Sequence, residues 1–309
     1  MAAPPANGRR RLIVSAADAG YFPLLRGLLR SLRDRGAMQG ADVAVLDLGL
    51  AADQRGMLER AKIQVVDAAW GFVFPLRARL EVERPWFRAM TSRPLLPSLL
   101  PGYDTYLWID ADAWVQTDDV VDLFFRCAAG DALAAIMSND RSYEPLRDGR
   151  LWQWNARNFR AIAPEHADAL CARPMINSGA FAMNASSPLW QAWAEALRVA
   201  LVRQTDDSAA TFMIEQIALN VAVLTSGAPF RPLPSRCNWL CPLAPPVWDP
   251  ERALLCDPLA PHEPLGLIHL ADRTKSGPQT IRGLDRITRT IDLRYPPRIV
   301  APPADGASP

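Results

Sequence analysis

Tyr106-Leu107-Trp108-Ile109-Asp110-Ala111-Asp112-Ala113-Trp114-Val115 is the stretch on which the fold reading turns. β-Branched and aromatic residues run up to Ile109, and turn-prone Gly102 and Asp104 precede them, which is the pattern of a strand. With the whole stretch extended, Asp110 and Asp112 stand at i and i+2, and the two-residue period points both to one side. Flanked by Trp108, Ile109, Ala111 and Trp114, the two carboxylates repel each other and resist desolvation unless a positive charge lies between them. Hard carboxylate oxygens suit Mg²⁺ or Mn²⁺. A bare Asp-x-Asp also fits a strand capped at its solvent edge, so the rest of the chain has to separate the two readings.

Towards the N-terminus, residues 11–16 read as a buried strand and 21–35 as a helix with Leu24, Leu25, Leu28, Leu29 and Leu32 on one stripe. A second strand over 43–46, a short helix over 53–60 and a third strand over 63–66 follow. This alternation predicts an α/β fold: a mostly parallel, Rossmann-like sheet flanked by helices. Ligands of such sheets bind at the carboxyl ends of the strands, where Asp18 and the Asp110/Asp112 pair both fall. The first turn, Ala16-Ala17-Asp18-Ala19-Gly20-Tyr21, has neither Gly-x-Gly-x-x-Gly nor Gly-Lys-Thr, so no glycine-rich loop cradles phosphates there. Asp18 is a candidate partner for a base or ribose and Tyr21 for stacking on a base; the same residues also read as a helix N-cap and a half-buried aromatic.

Towards the C-terminus, a Trp-, Arg- and Pro-rich connection over 70–104 leads through a helix-like segment at 93–100. Beyond the central stretch come a helix over 120–127, a strand over 132–137 and an irregular, aromatic segment over 138–173. Trp152, Trp154 and Phe159 there suit either an acceptor-facing surface or packing onto the core. Residues 175–184 form a strand whose Asn177-Ser178-Gly179 suggests close approach of a ligand or another backbone. Helices follow over 189–202 and 209–224, the second holding Glu215-Gln216 and Asn220; then a Pro-dense loop over 228–265 and a strand over 265–270 containing His269. Lys275 lies six residues on, one of only two lysines with Lys62.

Whole-chain properties narrow the function classes. At 309 residues and net charge +1, the chain has room for a large core and no charge bias towards nucleic acid. No run approaches the roughly 18 apolar residues of a membrane helix, and residues 1–11 lack a signal-peptide core. Five scattered cysteines favour a reduced, cytoplasmic setting. Arg282, Arg286, Arg289, Arg294 and Arg298 are a candidate membrane-surface patch, but Asp285 and Asp292 dilute them, so at most a peripheral contact at the inner membrane face is expected.

Ala16-Ala17-Asp18…Tyr21, Arg93 placed 17 residues before Asp110-Ala111-Asp112, Asn177-Ser178-Gly179, Glu215-Gln216, Asn238 and His269…Lys275 together resemble the glycogenin/lipopolysaccharide-galactosyltransferase family over residues 10–280. That family, numbered 8, comprises GT-A-fold, retaining, Mn²⁺-dependent nucleotide-sugar transferases. The resemblance implies one GT-A domain over 11–295, with a nucleotide-binding half (11–115) and an acceptor-binding half (116–295), between a disordered lead (1–10) and a Pro-rich tail (296–309). It implies Asp110, Asp112 and His269 as ligands of Mn²⁺ (or Mg²⁺), Lys275 on the donor diphosphate, and Asp18 and Tyr21 on uridine. Arg93, Asn177, Ser178, Glu215 and Gln216 would surround the transferred sugar, with Gln216 and Glu215 as candidate catalytic groups. The activity so implied is hexosyl transfer from a UDP-sugar to a glycan or lipid-linked acceptor in cell-surface polysaccharide or lipopolysaccharide synthesis. The chain departs from the family in Glu215 for Asp, Gly20 for Asn, Asp272 for Gly, and the absence of Pro-Trp after Lys275.

Other classes compete. Asp110-Ala111-Asp112 matches the opening of a haloacid-dehalogenase-type phosphatase motif with Asp110 as nucleophile, although that motif normally follows the first strand. Cys237, Cys241, Cys256 and His262 are a loose candidate zinc set. A degenerate, non-catalytic GT-A protein is the third alternative.

Overall fold

Alternate residues of the first strand enter two different cores. In a computed structural model, which describes residues 10–205 and 209–300, Leu12 and Val14 join one apolar cluster while Ile13 and Ala17 join another. A strand covered on both faces needs apolar residues at successive positions, as Leu12-Ile13-Val14 provides.

In chain order the strands up to His269 are β1 (Arg11–Ala17), β2 (Asp42–Asp47), β3 (Gln64–Asp67), β4 (Thr105–Ile109), β5 (Ala113–Val115), β6 (Leu133–Met137), β7 (Ile176–Asn184), β8 (Phe230–Leu233), β9 (Trp239–Leu240), β10 (Val247–Asp249), β11 (Leu254–Cys256) and β12 (Leu267–His269). The main sheet has the order β3-β2-β1-β4-β7-β6-β8 and is parallel except for β7, which runs antiparallel to β4 and β6. Helices Phe22–Asp34 and Asp119–Cys127 cover one face through Leu25, Leu28, Leu32, Val120 and Phe124. Helices Leu189–Arg203 and Ile214–Ser226 cover the other, with Trp193, Leu197, Ile214 and Ile217 against Tyr106, Trp108 and Phe181. The predicted mostly parallel α/β architecture is therefore what the chain adopts.

A second sheet of order β5-β12-β9 lies over a third cluster containing Trp114, Trp239 and Ile268. Buried Gln116 ties it to the Pro-dense segment: its Nε2 donates to Leu255 O and Leu265 O (2.8 and 2.7 Å), and its Oε1 accepts from Leu255 N (2.8 Å).

Four expectations change. The stretch 106–115 is two strands, β4 and β5, broken at Asp110–Asp112. The irregular segment over 138–173 is largely helical, with Glu144–Arg147, Arg150–Ile162 and Ala167–Cys171. Asn155 and Asn158 sit among Leu151, Phe159 and Ile162 on its buried stripe, and those amides interrupt the apolar period. Residues 228–265 carry β8–β11, and Arg298–Ile299, at the start of the predicted tail, pairs with the strand Thr288–Asp292. The predicted lead and the remainder of that tail, residues 1–9 and 301–309, lie outside the described residues. Arg289 and Arg294 are paired with Asp285 and Asp292, so that arginine-rich end includes locally compensated charge.

Candidate active site

The two aspartates converge through a turn, not through the pleat. Asp110 N donates to Gly179 O (2.8 Å), and Ala113 N donates back to Asp110 O (3.0 Å), folding Asp110–Ala113 tightly as β4 gives way to β5. β5 then pairs antiparallel with β12, setting Ala113 opposite His269, and Leu270 N donates to Asp112 O (2.9 Å). This pairing carries the imidazole to the carboxylates: His269 Nε2 lies 3.3 Å from Asp112 Oδ1 and 3.9 Å from Asp110 Oδ2. One potential ligand atom from each of Asp110, Asp112 and His269 lies within 4.8 Å of the others.

A chain of amides orients the imidazole. Asn177 Oδ1 accepts from Gly179 N and from Asn238 Nδ2 (2.9 Å each), which turns Asn238 Oδ1 towards His269 Nδ1 at 2.9 Å. With Asn238 as acceptor, Nδ1 carries a proton and Nε2 is left facing the carboxylates, the arrangement by which metal-binding histidines are held. Gly179 leaves the necessary room: a Cβ there would lie 2.5 Å from His269 Cε1 and 2.9 Å from Asp110 Oδ2. Two hard oxygens, one imidazole nitrogen and a glycine-walled gap fit a divalent ion of the Mn²⁺ type.

Arg93, 8 % exposed, holds the opposite side. Its guanidinium donates to Asp110 Oδ1, to Glu215 Oε2 and to Ser178 Oγ (3.2 Å), and it packs over the Trp108 ring at 4.7 Å. Trp108 Nε1 also donates to Asp110 Oδ1 (2.8 Å). Ser178 Oγ donates to Glu215 Oε2 and Ser178 N to Gln216 Oε1 (3.0 Å each), while Gln216 Nε2 lies against Met175 Sδ. Glu215 Oε1 is buried with no partner among the described residues.

Two buried carboxylates titrate in opposite directions. Burial opposes ionisation of Asp112, but His269 and then Lys275 outweigh it and hold this carboxyl well below the usual range. Burial pushes Glu215 up to about 7 despite Arg93, which it shares with Asp110. Burial likewise opposes the charges of His269, Lys275 and Arg93, and nearby acidic groups raise all three above their usual values.

Lys275 Nζ donates to Tyr21 OH (2.6 Å) and Asp112 Oδ2 (3.1 Å) and lies 5.0 Å from the Tyr21 ring centre. Asp18 Oδ1 accepts from Tyr21 N (2.9 Å) just ahead of the first helix, so it serves the helix start while also facing the site. Every residue singled out above for donor or metal lines one cavity of about 810 Å³. His269, Lys275 and Glu215 line the same cavity as residues of β1 and β4. Of the three aromatics, Trp154 lines the cavity, Phe159 is core and Trp152 is half-buried.

The candidate zinc set is not assembled. Cys237 and Cys241 are buried and their thiols are pushed up to about 12, and His262 Nδ1 is engaged by Asp257 O (2.9 Å). Asp110, Asp112 and His269 form the metal-capable group found among the described residues. Sequence reasoning missed the Trp108 indole as a bond to Asp110, Asn238 as the partner of His269, and Asn155, which lines the cavity. Trp108 and Asn238 were within quoted motifs, whereas nothing in the sequence marked Asn155.

No protein-family model matches the chain, and no curated protein matches it in sequence. Solved structures do. A galactosyltransferase, LgtC, in complex with donor and acceptor sugar analogues, is similar over 85 % of this chain and 88 % of its own, at 17 % identity and a TM-score of 0.52. The bifunctional glycosyltransferase WbbM is similar over 77 % of this chain and 41 % of its own (16 % identity, TM-score 0.50). The glycosyltransferase GlyE of Streptococcus pneumoniae TIGR4 is similar over 90 % of this chain and 59 % of its own, with the same identity and TM-score. At such identities the likeness establishes the fold, and the chain has the GT-A architecture of glycosyltransferases.

Proposed function

We propose that this chain transfers a hexosyl group from a UDP-sugar, with retention and dependent on Mn²⁺, to a glycan or lipid-linked acceptor in cell-surface polysaccharide or lipopolysaccharide synthesis. The observation that carries the reading is the convergence of Asp110, Asp112 and His269, with Lys275 bonded to the same Asp112. The GT-A fold and the donor- and acceptor-analogue complex of the similar galactosyltransferase support it.

Asp110, Asp112 and His269 would hold the divalent ion, which when bound supplies charge stabilisation to a departing diphosphate. Lys275 adds a point charge on the same side and can exchange Asp112 for a phosphate oxygen. A diphosphate leaves as a stable anion, so the site needs no proton donor for it. Arg93 fixes Asp110 and Glu215 by ion pairs, while Ser178, Glu215 and Gln216 form the wall against which the sugar would lie, with Gln216 and Glu215 as candidate groups at the reacting carbon. Tyr21 and Asp18 face the cavity where a uridine would bind. The phosphatase alternative fits poorly, because Asp110 Oδ1 is already bonded by Arg93 and Trp108 and the motif follows the fourth strand.

A thermal-shift panel of UDP-, GDP- and dTDP-sugars with and without Mn²⁺ names the donor; at a hundred times its Kd a ligand adds about 2.7 kcal/mol. Asp112→Asn should abolish Mn²⁺-dependent UDP-sugar turnover with the fold intact, and turnover near the wild-type rate in that variant would refute the metal assignment. A flat panel would favour the non-catalytic alternative.

A further inference from the structure

The cavity continues beyond the donor residues along the helix Arg150–Ile162, which presents Leu151, Trp154 and Asn155 to it. These positions are i, i+3 and i+4, one helix face. Trp154 is 38 % exposed, and Met90, Trp86 and Phe212 also line the cavity, the last two in edge contact at 6.2 Å. Together they make an apolar, partly aromatic shelf in the same cavity as the polar donor residues. Set into it is Asn155, only 4 % exposed, whose Oδ1 has no hydrogen-bond partner among the described residues. Its neighbour Asn158 is different, since its Nδ2 donates to Trp154 O (2.8 Å) within the helix. A buried amide acceptor left unpaired is costly unless a ligand donor completes it.

We propose that this shelf is the acceptor subsite and that it takes a hydroxylated acceptor bearing a flat apolar group, an aryl or similarly hydrophobic aglycone, with a ligand hydroxyl meeting the Asn155 amide where it lines the cavity. The proposal rests on the transferase reading above. A flat apolar group stacks on Trp154 and Trp86 and removes their exposed faces from water. A bare oligosaccharide suits the shelf less well: each ring brings several hydroxyls, which would be left unpaired against Trp, Phe, Met and Leu side chains.

The test is calorimetric binding of phenyl β-galactoside and methyl β-galactoside to the full-length protein with UDP and Mn²⁺ present. The phenyl glycoside should bind at least tenfold tighter. Trp154→Ala and the milder Trp154→Leu should bring the ratio towards one, whereas Asn155→Leu should weaken both glycosides by a similar factor. Equal binding of the two glycosides, no measurable binding of either, or a phenyl preference that survives both Trp154 substitutions would overturn the proposal. UDP affinity is read on the same samples. Failure of the wild type to bind UDP sinks the transferase reading, while UDP binding without a phenyl preference sinks only the aglycone subsite. Melting curves establish that each variant is folded before its ratio is interpreted.

Discussion

Gly179→Ala tests the geometry at its tightest point. The added Cβ would lie 2.5 Å from His269 Cε1, 2.9 Å from Asp110 Oδ2 and 3.0 Å from Asn177 Oδ1. Ordinary contact begins at 3.4 Å, so the imidazole or the strand must yield by about 0.9 Å. None of the three neighbours yields easily: His269 is bonded to Asn238, Asp110 to Arg93 and Trp108, and Asn177 to the Gly179 amide itself. Overpacking of this kind costs about 1–3 kcal/mol of stability. Its larger effect is expected on the ligand set, because loss of supporting geometry around a metal ligand typically weakens affinity by about 10–100-fold. Mn²⁺ titration by calorimetry with UDP present should show a weakening in that range, and urea melts should show the smaller stability loss. Gly40→Ala, where a Cβ meets nothing within 4 Å, is the control. Wild-type Mn²⁺ affinity in a folded Gly179→Ala protein would refute the placement of Asp110 and His269 around one ion.

Glu215→Gln addresses the raised acid. Folding lifts this carboxyl from 4.5 to about 7, so the folded state binds the extra proton and stability falls as pH rises between those values, by roughly 3 kcal/mol in total. Melting temperatures from pH 4.5 to 7 should therefore shift in favour of the glutamine variant as pH rises, and parallel profiles would contradict the assignment. Asp272→Gly should stabilise the protein: Asp272 has φ 38° and ψ −134°, a region that costs a non-glycine residue about 1 kcal/mol or more, so the melting temperature should rise, whereas Asp272→Ala should bring no such gain. Native thiol titration should label Cys127 and Cys171 and leave Cys237 and Cys241, whose burial pushes them up to about 12, unreactive until the chain unfolds.

The main sheet was legible because strands covered on both faces must be apolar at successive positions, and 11–16, 43–46 and 132–137 carry that signal without help from distant residues. The helix Arg150–Ile162 was not legible, since Asn155 and Asn158 occupy its inward stripe and break the period. The same amide that obscured the helix lines the cavity. At Asp110–Asp112 the period-two reading put both carboxylates on one side, but the cause is the bond from Ala113 N to Asp110 O. Nothing local to His269 pointed at the aspartates; its place depends on the antiparallel pairing of β12 with β5, a contact between residues more than 150 apart in sequence. The ordered motifs of the family resemblance supplied that long-range expectation where periodicity could not.

The opposite titration of Asp112 and Glu215 follows from how the cations are shared. Both are nearly buried, at 8 % and 2 % exposure, so desolvation acts on both and cannot by itself set their difference. Asp112 has His269 and Lys275 within 3.3 Å, whereas Glu215 must share Arg93 with Asp110. Arg93 is thus partly neutralised before Glu215 ionises, and the balance falls to desolvation. Lys275 is bound differently again: among the described residues its one carboxylate partner is Asp112, itself a candidate ligand, and it also bonds the Tyr21 hydroxyl in the first turn. Under the proposed function, a cation held by Asp112 would free the Lys275 ammonium for an anion on the side of the cavity that Tyr21 and Asp18 face. Asp112 contacts both His269 and Lys275, so under the proposed function substitution of Asp112 should be felt in donor affinity as well as in metal affinity.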